Sequence, residues 1–117
     1  LFGGSGVDKL DGGDDDDLLI PGLTSYYSET STKLNQPGIA AIFTEWVGPN
    51  PYLTRISNLR LGVGAGGIYR IGLTTLFDDG GAAVPDFLAG GLGLDWFWQF
   101  PADVIGDLGL GGPEIVN

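Results

Sequence analysis

Glycine pairs recur with a period of nine at the start of this chain. Gly3-Gly4-Ser5-Gly6-Val7-Asp8-Lys9-Leu10-Asp11 runs directly into Gly12-Gly13-Asp14-Asp15-Asp16-Asp17-Leu18-Leu19-Ile20. Aligned, the two units share Gly-Gly at places one and two, Asp at place six and an apolar residue at place eight. Such a short period constrains the fold strongly, because a unit of nine cannot bury its apolar place alone and must stack on its neighbours. The frame returns late in the chain. Residues 90–98 match every fixed place, while 81–89 keep Gly at one, Asp at six and Leu at eight. Pro21-Gly22 opens one more unit that then fades.

This pattern is costly without a partner. Six carboxylates lie between Asp8 and Asp17, where like charges repel and glycines lose much backbone entropy on ordering. The whole chain carries 15 acidic and 5 basic residues, for a net charge of −10. That balance repels nucleic-acid phosphates and anionic membrane surfaces and favours cations. The chain has neither Cys nor His, so disulfides, thiolate or imidazole metal sites and a Ser-His-Asp triad are excluded. An apolar share of 43 % suffices for a core, and no apolar run approaches membrane-spanning length. The repeat is already in progress at Leu1, so the chain is expected to be a piece of a longer protein, whose remainder would be one of its partners.

Three zones follow: 1–22 with repeats, 23–72 without them, and 73–117 where they resume. The middle zone is predicted to be helical. Ile39, Ile42, Phe43 and Trp46 form one stripe, Pro37 suits a first turn, and Gly48-Pro49 ends the helix. Asn50-Pro51 is expected to start a second helix, with a stripe of Tyr52, Ile56 and Leu59. Residues 68–71 and 73–77 read as β-like runs. Gly62-Val63-Gly64-Ala65-Gly66-Gly67 matches G-x-G-x-x-G, but a helix precedes it and a strand-like run follows. It is therefore read as a loop, not a dinucleotide site. Asp14 to Asp17 lack the glycine and distal glutamate of an EF-hand loop.

The nonapeptides, 36 of the 117 residues, resemble the haemolysin-type (RTX) calcium-binding repeats. The stretch after the last repeat is similar to the end of such modules in large secreted bacterial proteins. The resemblance implies a mainly β fold, a parallel β-roll (a short β-solenoid) interrupted by a small helical insertion. It also implies Ca2+ as the cofactor and an extracellular location. An enzyme would have to rely on paired carboxylates, which the turns already account for, so no enzymatic role is expected.

Calcium takes six to eight oxygens from carboxylates and carbonyls, and positive-φ glycines can aim their carbonyls at one centre. In the family an ion lies between two stacked turns. The candidate ligands are therefore Asp8, Asp17, Asp86 and Asp95 with Gly4, Gly6, Gly13, Asp15, Gly91 and Gly93. If the middle zone leaves the roll between Gly22 and Leu73, turn 12–17 should stack on 81–86 and bring Asp17 beside Asp86. The second reading is a structural cap or adhesion module with degenerate ion sites. Its partner would be a protein or a polysaccharide, bound by the aromatic helical insertion. Trp96, Phe97, Trp98 and Phe100 could also form a carbohydrate-stacking face, although core packing is the favoured role for those rings.

Overall fold

The computed structural model describes residues 1–28, 30 and 33–117. Their elements are β1 (Lys9–Asp14), β2 (Leu18–Leu19), β3 (Leu23–Thr24), α1 (Gln36–Trp46), α2 (Tyr52–Leu61), β4 (Leu76–Phe77), β5 (Phe87–Leu92), β6 (Trp96–Phe97), β7 (Val104–Ile105) and β8 (Ile115–Val116). The expectation of a mainly β roll is overturned. Two helices of 11 and 10 residues accompany eight short strands, six of them only two residues long, so the fold is mixed α/β. The strands form small sheets in the orders β1-β5-β7, β2-β6-β8 and β3-β4. The repeats occupy too little of the chain to impose one architecture on the rest.

By contact density the chain divides into two compact units, 1–23 with 77–117, and 24–76. In the first unit the two three-stranded sheets are parallel throughout. Their core is Leu10, Leu19, Leu88 and Phe97, joined by the partly buried Ile105. Those four are the place-eight residues of the four nonapeptides. Each is expected to contribute roughly 1.5–3 kcal/mol by leaving water. Trp96 and Trp98 share the other strand face and meet edge to face at 6.5 Å. Both are buried, at 0 % and 6 % exposure, so neither ring is an open stacking platform.

The expected stacking of the turns is wrong by one frame. Lys9 pairs with Phe87 and Leu18 with Trp96, so turn 3–8 lies on the segment ending at Asp86 and turn 12–17 lies on 90–95. Asp17 is beside Asp95, not Asp86. The reason is where the chain leaves the stack. Gly3 N–H donates to Ile20 O and Gly4 N–H to Gly22 O, whereas Asp8 N–H donates to Asp86. Pro21-Gly22 and Asp86 thus belong to a single turn. The middle zone is inserted inside that turn rather than between two turns, so no half-turn is added to the count.

In the second unit the helices follow their stripes. Asn35 caps α1 by accepting from Gly38 N–H at 3.0 Å, with Pro37 in the first turn. Ile42 and Trp46 are buried but Phe43 is exposed, so the inward stripe is narrower than expected. Tyr52, Ile56 and Leu59 are all buried on α2, which starts after Pro51; Asn50 turns its side chain to Glu45 instead of capping. Residues 62–67 form a loop containing a 3₁₀ turn, closed by a Val63–Tyr69 bridge. Of the β-like runs only Leu76–Phe77 becomes a strand. Tyr26 replaces the remainder as an anchor: its hydroxyl donates to Arg70 O and accepts from Arg70 N–H, each at 2.8 Å.

Candidate cation site

Turn 12–17 holds the densest charge, and its backbone shape comes from glycine and aspartate. Gly13 has φ 96° and Asp15 φ 72°, a left-handed conformation that Asp tolerates better than most residues. The carbonyls of Gly13 and Asp15 face the turn below. A Cβ on Gly91 would lie 2.0 Å from Gly13 O, and one on Gly93 2.1 Å from Asp15 O. Only glycine lets the two turns approach this closely. Gly93's own carbonyl faces the next turn down, at Gly111.

Asp17 Oδ2 is one of several carboxylate oxygens that are buried with no hydrogen-bond partner, Glu114 Oε1 being another. Asp17 Oδ2 lies close against the Gly12 α-carbon, 2.7 Å from where a Cβ would sit, and Gly90 O lies against the same point at 2.5 Å. The Asp17 carboxyl is pushed above its ordinary range, chiefly by burial. The Leu1 amino group counteracts this, and Asp15 and Asp16 add to it.

Asp95 is fully buried. One of its oxygens accepts Asp17 N–H at 2.7 Å. Burial pushes its carboxyl up to about 6, the Asp17 N–H offsets part of that, and Glu114, Asp17 and Asp107 push it further. Asp16 accepts Leu94 N–H at 2.8 Å, tying the two turns at a second point.

The other stack is held differently. Asp8 N–H donates to Asp86 at 2.7 Å, and Asp86 N–H donates to Asp103 at 3.1 Å. Asp86 is buried, and its carboxyl is raised by that burial. The Asp8 N–H lowers it, and Asp103, Asp79 and Asp8 raise it. Gly6 N–H is taken by Asp79 at 2.6 Å. Gly4 N–H meets Gly22 O and Gly6 N–H meets Asp79, so these two glycines lie against Pro21-Gly22 and the Asp78-Asp79 segment.

The structure thus brings Gly13, Asp15, Asp17, Gly91, Gly93 and Asp95 together and keeps Asp8, Gly4, Gly6 and Asp86 in a separate stack. Sequence reasoning missed Asp79, Asp103, Asp107, Glu114 and the Gly90 carbonyl. The first four fall outside any matched frame, and a carbonyl's direction depends on the fold.

Among the described residues no group of three or more Asp, Glu, His or Cys side chains converges as a ready metal cluster. A cation here must draw on carbonyls as well, and each carbonyl's second lone pair makes that feasible even within a ladder. The donor set is oxygen only, which suits a hard divalent ion. No family model matches the chain, nor does any curated protein or solved structure. No helix among the described residues is long and apolar enough to cross a membrane.

Proposed function

We propose that the chain is a calcium-binding module whose stacked Gly/Asp turns become rigid when the ion binds. The observation that carries this reading is Asp17 Oδ2, buried without a hydrogen-bond partner and packed against Gly12 together with Gly90 O. Asp17, Asp95 and the carbonyls of Gly13, Asp15 and Gly90 would hold the ion, which would supply the positive charge that this acidic stack lacks. Gly91 and Gly93 would act as the positions that admit the carbonyls above them. The module would work outside the cell, as part of a longer secreted chain. Calcium sites of extracellular modules bind at about 10⁻⁴–10⁻³ M, which suits a site with few carboxylates.

Calorimetry and circular dichroism with calcium and with chelator test this. At about tenfold excess over such a dissociation constant, calcium should stabilise the fold by about 1.4 kcal/mol and raise its thermal midpoint. Asp17→Asn should remove most of the gain. An unchanged midpoint and spectrum at millimolar calcium would sink the proposal.

One observation favours the second reading, a structural module that stands without ions. Asp86, Asp95 and Asp103 already spend an oxygen each on backbone N–H groups of the neighbouring layer. Under that reading the chelated protein keeps its full stability, and the same titration separates the two.

A further inference from the structure

The turn formed by residues 106–114 brings a carboxylate that no repeat pattern requires. Asp107 accepts Gly90 N–H at 2.9 Å with one oxygen and Gly91 N–H at 2.8 Å with the other. Two charge-assisted bonds to consecutive amides fix both peptide planes. The second of these peptides joins two glycines, with Gly91 at φ 93°, so no side chain restricts its orientation. A trans peptide points its N–H and C=O in opposite directions. Holding Gly91 N–H toward Asp107 therefore turns Gly90 O the other way, toward Gly12 and Asp17. The layer below is also close: a Cβ on Gly111 would lie 1.9 Å from Gly93 O.

We infer that Asp107 is a positioning residue for the cation site, presetting turn 90–95 and its Gly90 carbonyl before the ion arrives and without touching the ion. This rests on the calcium reading above. One half of the site is then built by the protein alone. Turn 12–17 supplies the other half, with Asp17 and the carbonyls of Gly13 and Asp15. Asp107 acts as an outer partner that orients a ligand it does not replace.

The test compares Asp107→Asn with Asp17→Asn by calcium calorimetry, and follows amide exchange at Gly90 and Gly91 in chelator. Asp107→Asn should weaken calcium affinity about 10- to 100-fold with unchanged stoichiometry, as loss of an outer partner does elsewhere. Asp17→Asn should lower the stoichiometry itself. In the wild-type protein the two amides should be protected even in chelator. Wild-type affinity retained in Asp107→Asn overturns the inference while leaving the calcium reading intact. Rapid exchange of both amides in the chelated wild-type protein also overturns it, whether or not the variant folds. A wild-type protein that binds no calcium overturns both.

Discussion

Gly91 and Gly93 show how a residue with no side chain sets a distance between layers. Their α-carbons lie against carbonyls that any Cβ would strike. Gly91→Ala should therefore cost about 2–4 kcal/mol, combining a positive φ with overpacking. Gly72 is the control, with no atom within 4 Å of its ideal Cβ and no left-handed φ. Gly72→Ala should be neutral or stabilising by up to about 1 kcal/mol. Urea denaturation of both variants checks the pair, and equal losses would refute the stacking argument. The period of nine made these glycines legible as turn residues. It could not tell which carbonyl each would face, because those carbonyls belong to residues 78 positions away.

Among the elements, the helices were the more readable. Tyr52, Ile56 and Leu59 follow a helical period and are all buried, as a local rule can foresee. Asn35 caps α1 from a position that the sequence reading passed over in favour of Pro37. Asn35→Ala should lower stability by about 1 kcal/mol. Helical circular dichroism during thermal melting measures it, and an unchanged melt would show that the cap is dispensable. The β-like runs misled for a complementary reason. Residues 68–71 are apolar enough for a strand, yet Ile71 is buried beside α2, its N–H bonded to Leu59 O, while Ile68 is exposed. A single bridge from Tyr69 to Val63 and packing of Ile71 on a helix satisfied this segment in place of a strand ladder.

At the scale of the molecule, charge dominates. A net charge of −10 strains a stack that buries Asp86 and Asp95. The Asp95 carboxyl is raised from 3.8 to about 6 by burial, and Asp17 and Asp86 are raised as well. A raised carboxyl favours folding in its protonated form. In chelator, stability should therefore fall as pH rises from about 4 to 6, and level off above and below that window as far as Asp95 is concerned. The urea midpoint in chelator should be higher near pH 5 than near pH 7.5, and the reverse order would refute the assignment. With calcium bound the trend should invert, because protons then compete with the ion for the same oxygens.

The sequence by itself determined which residues face the core of the repeat unit. Leu10, Leu19, Leu88 and Phe97 recur at one place of a nine-residue frame, and strand alternation turns that place inward. It likewise determined that two helices would interrupt the repeats. Only the tertiary structure decided that the fold is mixed α/β and that turn 12–17 rests on 90–95. The middle zone leaves from inside a turn, after Gly22, and returns before Asp86. A local period counts residues and cannot register an excursion within one of its own units. The cross-layer bonds of Asp95, Asp107 and Asp16 came from that same decision, since each joins groups brought together only once the layers stack.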